Sequence, residues 1–338
     1  MNQEMRQGSG PRVALVVGGS RGLGFAIAQD LVRRGAVVVI AARDAEELEV
    51  AREKLMAQRD RDRGPHSRAR VVCAPVDARD EAALQRLVSW TEAEVGPIEV
   101  LFAVAGIIQV APLESVTTEQ FRECIKLMTL APIHLALAAL PHMRGRGRGR
   151  IGIVTSIGGM VSPPHLLPYA TAKFGAVGFS DGLAAALAGT GVTCTTIVPG
   201  LMRTGGHEHA QFGGDPGAEY AWFAPAASLP ILSADAERAA RRFVTATLAG
   251  RPYVSITPLA WAAVRFRGLA PGLTTRLMGL VNRALPGGVS TETISGREAD
   301  RQLDSEVVRT LATLGDAAAR TYNSRSKVPE GTPSQGRD

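Results

Sequence analysis

The sequence predicts an α/β chain: a doubly wound, three-layer parallel sheet with helices on both faces, followed by a helical extension at its C-terminal end. Two observations predict it. Short, β-branched apolar runs alternate with longer helical stretches through the first two thirds of the chain, and strands joined by crossover helices lie parallel and buried on both faces. The first such run leads straight into a glycine-rich turn that opens a helix.

Residues 12–17 form the first apolar run, and the helix after the turn stops near Gly35, a residue suited to a helix C-terminus. Residues 37–41 read as the second strand and 44–59 as a charged helix. Strands at 70–74 and 99–104 bracket a helix over 81–95. A long helix opens at Thr117 or Thr118, where Thr117 and Gln120 have the capping-box spacing, and ends near Pro141. Strands at 151–155 and 192–198 follow, separated by an Ala-rich helix after Pro168.

After Pro199 the pattern changes. Residues 203–232 mix Gly, Pro, His and aromatics without periodicity and read as a long functional loop. A helix returns at 235–249, and 253–290 is apolar with interspersed Arg and Pro. The expected organisation is a nucleotide-binding catalytic domain over 11–252, including the substrate loop 203–232. An extension over 253–322 follows, and the tails 1–10 and 323–338 are expected to be flexible.

The chain has 338 residues and a net charge of +6. Its densest basic cluster, the Arg-Gly alternation from 144 to 150, lies between an apolar helix and an apolar strand, the setting of a solvated loop and not of a nucleic-acid-binding tract. Cys73, Cys124 and Cys194 have neither disulfide nor metal-ligand spacing, which suits a reducing, cytoplasmic setting. Residues 1–11 lack the apolar core of a signal peptide. The apolar run 125–143 is interrupted by Lys126, Pro132 and Pro141, so no membrane span is expected. His207 and His209 sit in a glycine-rich segment without obvious carboxylate support, and no metal site is expected.

Gly18, Gly22 and Gly24 let the backbone turn tightly beside a helix N-terminus, whose free amides and positive dipole end suit a pyrophosphate. The same segment, Gly18-Gly19-Ser20-Arg21-Gly22, also fits a nucleophile elbow, with Ser20 as a hydrolase serine. That elbow ordinarily follows a later central strand, and no histidine stands out as its partner. The second strand ends Ala41-Ala42-Arg43. An acid for a free ribose hydroxyl is absent there, while Arg43 and Arg21 can converge on a 2′-phosphate, favouring NADP(H) over NAD(H).

Tyr169 and Lys173 stand four residues apart, on one face of a helix. A phenol needs its pKa lowered to act as a base near neutrality, and a neighbouring ammonium and an oxidised nicotinamide both do this. The chain holds only four Lys and four Tyr, so the pairing has little chance of being accidental.

Over roughly residues 12–250 the chain resembles the short-chain dehydrogenase/reductase family, a Rossmann-type fold. The glycine turn, Tyr169-Ala170-Thr171-Ala172-Lys173 and Pro199-Gly200 match in order and spacing. The resemblance implies a catalytic triad of Ser156, Tyr169 and Lys173, with Ser156 polarising the substrate oxygen. It places the cofactor on Gly18, Ser20, Arg21, Gly22, Leu23, Gly24, Arg43, Asp77, Ala105, Gly106, Tyr169, Lys173, Pro199, Gly200 and Thr204. It also implies a homodimer or homotetramer paired through long helices. Three features depart from the family: Val17 replaces the usual Thr, Ala103-Val104 replaces Asn-Asn, and Met128 falls on the Asn that holds a relay water.

The substrate is expected between Tyr169, Met160, His165 and Leu166 on one side and Trp222 and Phe223 on the other. These aromatics fit a hydrophobic ketone or alcohol, or equally core packing against the extension. The extension itself reads as a lid or subunit contact ahead of a membrane-surface contact. Two other readings remain: an NADP-binding sensor of low activity, suggested by Met128, and the Ser20 hydrolase.

Overall fold

A computed structural model of the chain describes residues 12–63, 68–229 and 233–324. The chain runs β1 (Val13–Val17), α1 (Gly22–Arg33), β2 (Val37–Ala42), α2 (Ala45–Arg63), β3 (Arg70–Pro75), α3 (Glu81–Trp90) and β4 (Val100–Ala103). A two-residue strand β5 (Gln109–Val110) precedes α4 (Thr118–Ile125), which passes through a π turn (Lys126–Leu130) into α5 (Ala131–Gly145). Then come β6 (Gly149–Val154), α6 (Leu167–Ala186) and β7 (Val192–Val198).

The remainder holds β8 (Leu201–Arg203), α7 (Gly206–His209), β9 (Gln211–Phe212), α8 (Pro216–Ser228), β10 (Ser233–Asp235) and α9 (Ala236–Leu248). It continues with β11 (Tyr253–Ser255), α10 (Pro258–Leu269), α11 (Pro271–Asn282), β12 (Ile294–Ser295), α12 (Gly296–Leu303) and α13 (Glu306–Thr321).

The central sheet is seven-stranded and parallel, in the order β11-β7-β6-β4-β1-β2-β3. Side chains alternate across it. Ala14 and Val16 of β1 join Phe25, Ile27, Leu31 and Phe243 in one apolar layer, with α1 and α9 above it. Leu15 and Val17 join Leu84, Leu135, Ala139 and Ile151 in the other, beneath α3 and α5.

Three expectations change. The sheet takes a seventh strand from residues 253–255, so the catalytic domain does not stop at 252; with one buried residue, Val254, among its three, that strand is too short to leave a periodic trace. Residues 203–232 are not one long loop. Asp215 caps α8 by accepting from the Ala218 amide, Pro216 starts it, and Tyr220, Phe223, Ala224 and Ala227 are buried along it. A helix apolar on nearly every side has no stripe to detect; residues 230–232 lie outside the described residues.

The long helix also runs through Pro141 to Gly145. Pro141 is exposed, where water can satisfy the carbonyl one turn back. The capping box at Thr117 and Gln120 forms as expected. The run Thr118–Gly145 is long and apolar enough to cross a bilayer by length and composition, but it packs inside the fold against α3 and α6.

Candidate active site

The glycine turn is fixed by backbone, which explains why it tolerates Val17 and the loss of the Asn pair. Gly18 donates its amide to the Ala41 carbonyl at 2.7 Å, and Val104 and Ala105 donate to the Val17 carbonyl at 2.9 and 3.0 Å. Gly18 has φ +88°, and a Cβ on it would stand 2.5 Å from the Ala105 nitrogen. A Cβ on Gly24 would stand 1.8 Å from the Gly18 carbonyl oxygen, so helix and turn meet only through glycine.

The residues fit a dinucleotide in part. The first-turn amides of Leu23 and Gly24 have no carbonyl one turn back within the helix, and Thr204 lies beside Gly22. The Gly22 amide, however, is met by the chain itself: the Tyr322 carbonyl accepts from it at 2.8 Å. Asn323 donates to the Ser20 carbonyl at 2.9 Å and accepts from Lys54 at 2.8 Å, and Ser324 donates to the Thr204 carbonyl at 2.7 Å. Asn323 and Ser324 are almost fully buried. These two residues were expected in the flexible tail; instead they hold the turn, through contacts up to 303 residues apart in sequence that no local pattern announces. Residues 325–338 lie outside the described residues.

The two expected phosphate-binding arginines differ. Arg43 is exposed at the end of β2. Arg21 pairs with Glu47 at 3.0 Å, and the Ser20 hydroxyl donates to the same carboxylate. Arg21 is therefore engaged, by an acid on α2 that the sequence reading did not weigh. Ser20 faces a carboxylate and not an imidazole, so the Ser–His pairing of a nucleophile elbow is not formed there. Asp77 pairs with Arg79 at 2.6 Å, and that guanidinium holds its carboxyl below the usual range.

Ser156, Tyr169 and Lys173 converge. Ser156 lies two residues beyond the end of β6, and the next residue, Ile157, donates its amide to the Pro199 carbonyl at 2.8 Å. Gly158 is the meeting point: a Cβ there would lie 3.4 Å from the Ser156 hydroxyl and 3.0 Å from the Tyr169 ring. One turn further along α6, the buried Lys173 ammonium donates to the Val154 carbonyl at 2.8 Å and stands 5.9 Å from the Tyr169 ring centre.

Burial pushes Tyr169 up to about 12, and hydrogen bonding with Ser156 draws it part of the way back. Burial pulls Lys173 down to about 8. In the cofactor-free chain desolvation therefore sets the phenol, and the lowering comes from Ser156 and not from the lysine. Met128 is buried against Gly106, with its Sδ 3.4 Å from a Cβ placed on that glycine and the Lys173 ammonium 3.9 Å from the same point. It lies in the π turn, beside Tyr169 and Ala172.

The expected substrate residues separate into two groups. Leu166 and Phe223 are core: both are buried with Phe212, Tyr220 and Val308, and Phe212 meets Tyr220 and Phe223 edge-to-face at 5.6 and 5.7 Å. The aromatic ring of Phe223 packs in this cluster, against which Tyr169 also lies. Met160 and Trp222 are half-buried. His165 is buried with φ +61°, and its Nδ1 meets the buried Glu219 carboxylate at 2.7 Å, which accepts from Trp222 Nε1 at 2.8 Å. Sequence reasoning missed Glu219, which links two of the expected residues across 54 positions.

His207, Glu208 and Asp316 bring one donor atom each within 4.8 Å of one another. The Arg297 guanidinium pairs with Glu208 at 3.0 Å and His207 meets Asp316 at 3.1 Å, so a resident side-chain cation already answers the carboxylate.

Comparison with known proteins agrees with this architecture. The family profile described as short chain dehydrogenase matches residues 12–211, and the chain belongs to that family. It is 32% identical over 193 residues to the uncharacterized oxidoreductase YxjF of Bacillus subtilis (strain 168), covering 57% of this chain and 72% of that one. It is 31% identical over 196 residues to gluconate 5-dehydrogenase of Gluconobacter oxydans (strain 621H), covering 58% and 73%. Among solved structures, a short-chain dehydrogenase from Streptomyces avermitilis superimposes with a TM-score of 0.66 at 27% identity, covering 81% of this chain and 99% of that one. Levodione reductase gives 0.62 at 25% identity, covering 74% and 98%. The protein is an oxidoreductase of the short-chain dehydrogenase type with a Rossmann-type nucleotide-binding fold.

Proposed function

We propose that the chain is an NADP(H)-dependent oxidoreductase that interconverts a hydrophobic carbonyl compound and its secondary alcohol. The observation that carries this reading is the convergence of the Ser156 hydroxyl and the Tyr169 ring on Gly158, with the Lys173 ammonium one turn away. Ser156 polarises the substrate oxygen, and the Tyr169 hydroxyl delivers the proton that the oxygen requires. Burial keeps the phenol protonated in the cofactor-free chain, the form from which a proton is delivered when a carbonyl is reduced. Lys173, held on the Val154 carbonyl, keeps its charge beside the phenol.

The glycine turn from Gly18 to Gly24, with Arg43, Asp77, Ala105, Gly106, Pro199, Gly200 and Thr204, would hold the dinucleotide, which when bound supplies the hydride. Arg43 in place of an acid at the end of β2 supports NADP(H), with Arg21 contributing if it exchanges Glu47 for the phosphate. Exposed Leu130, Leu137 and Phe174 on the helices around the π turn and on α6 support pairing into a homodimer or homotetramer.

The test is NADPH oxidation against a panel of hydrophobic ketones, with NADH in parallel. Tyr169→Phe should lose roughly a hundred- to ten-thousandfold in kcat while still binding NADPH. Unchanged turnover in that variant sinks the assignment of Tyr169. A second reading is favoured by one observation, the buried Met128 at the relay position: a cofactor-binding sensor. Saturable NADPH binding without turnover of any ketone would select it.

A further inference from the structure

The extension contains a helical hairpin, α10 and α11, whose two helices pack against each other and present apolar side chains to solvent. On α11, Leu273, Leu277, Leu280 and Val281 follow i, i+4, i+7, i+8 spacing, the stripe that a globular helix turns inward. Here they are 49%, 40%, 57% and 45% exposed. Leu269, at the bend between the helices, is 88% exposed. Arg276 and Arg283 lie along one edge of this stripe, both exposed.

The charge is one-sided. From residue 251 to residue 291 there are five arginines and no Asp, Glu or Lys. At the base of the hairpin, a groove of about 520 Å³ is lined by Arg238, Arg241, Arg242, Arg251, Arg265 and Trp261, among others. Arg265 stacks on the Trp261 ring at 3.7 Å. Two carboxylates stand beside the groove: Glu237 lies 4.0 Å from Arg241 and pairs with Arg33, and Asp181, like Arg265, acts electrostatically on the groove-lining Tyr253.

We propose that this face docks on an anionic phospholipid surface, with the α11 leucines entering the interface and the arginine groove taking lipid phosphate. Charge decides between this and a second copy of the chain. A two-fold pairing through the hairpin would set arginines against arginines with no acid in either hairpin to answer them. An anionic bilayer offers both an apolar layer for the leucines and negative charge for the cations, whose aliphatic stems can lie along it while their heads stay at the headgroups. The base of the hairpin is firm: Thr257 packs on Gly200, and Gly288 is held by the Ser115 hydroxyl at 3.1 Å. The docking does not depend on the redox chemistry, and its readout needs none.

The test is co-flotation of the full chain with phosphatidylcholine vesicles and with mixed phosphatidylcholine–phosphatidylserine vesicles. The chain should float with the mixed vesicles only, and added salt should release it. Arg276→Ala and Arg283→Ala should each weaken binding roughly fivefold. Leu273→Ser combined with Leu277→Ser should weaken it by roughly tenfold or more. These positions are exposed, so circular dichroism should be unchanged. Absence of flotation, equal flotation with neutral vesicles, duplex DNA binding without flotation, or a dimer in solution abolished by the leucine changes would each overturn the proposal.

Discussion

The sheet core and the C-terminal extension differ in how they use apolar residues. In the core, β1 buries all five of its residues, and neighbouring strands and helices share two continuous layers. In the extension, the hairpin exposes its apolar stripe, whereas α13 delivers Tyr322, Asn323 and Ser324 to the glycine turn. The extension is therefore two devices: one faces outward, and the other completes the cofactor turn of the core. The family profile stops at residue 211, so the α13 device lies outside the part of the chain that the profile describes.

Breaking the core's own geometry should have the largest effect. Gly24→Ala places a methyl group 1.8 Å from the Gly18 carbonyl oxygen, a contact between two backbones that no rotamer relieves. The variant should lose about 3 kcal/mol of stability and all measurable NADPH binding, read by urea unfolding and by fluorescence titration. Retained nucleotide affinity would mean that the turn is not where the cofactor sits.

A middling effect is expected from the extension's contact with that turn. Asn323→Gly keeps a residue tolerant of φ +56° but removes the bonds to the Ser20 carbonyl and from Lys54. Stability should fall by about 1–3 kcal/mol, and the NADPH dissociation constant should rise several-fold, with kcat at saturating cofactor preserved. An unchanged dissociation constant would reduce the strap to packing and restore the core as a self-sufficient unit.

The contrast also shows what could be read in advance. The six long strands were legible because strands buried on both faces are continuous β-branched runs, and Tyr169 and Lys173 because one helix sets their spacing. β11 has three residues, α8 is apolar on nearly every side, and both escaped. Glu47, Glu219 and Asn323 were illegible for another reason. Each acts through a partner 27 or more positions away, and nothing in its neighbours marks it. Phe223 and Leu166 pack in a buried cluster beside Tyr169, a placement that burial shows and composition cannot.

The last effect is one of pH, and it isolates the core site from everything the extension does. In the cofactor-free chain the Lys173 ammonium is disfavoured by burial, with its pKa pulled down to about 8 from an ordinary 10.5. Between those values the unfolded chain binds the proton more firmly than the folded one, so the lysine's contribution to stability rises with pH across that window. Tyr169 runs the other way: its folded value of about 12 exceeds its ordinary 10, so its contribution falls only above pH 10. Burial pushes the thiols of Cys73, Cys124 and Cys194 up to about 12, 12 and 11 from an ordinary 9, so their contributions fall across the same window and the lysine is read by difference. Between pH 8 and 10 the wild-type chain should gain on the order of 2 kcal/mol relative to Lys173→Met, while the gap between wild type and Asn323→Gly, which lowers stability by a different route, should stay constant. Urea unfolding at a series of pH values reads both, and a Lys173→Met curve parallel to the wild-type one would place the titrating group elsewhere.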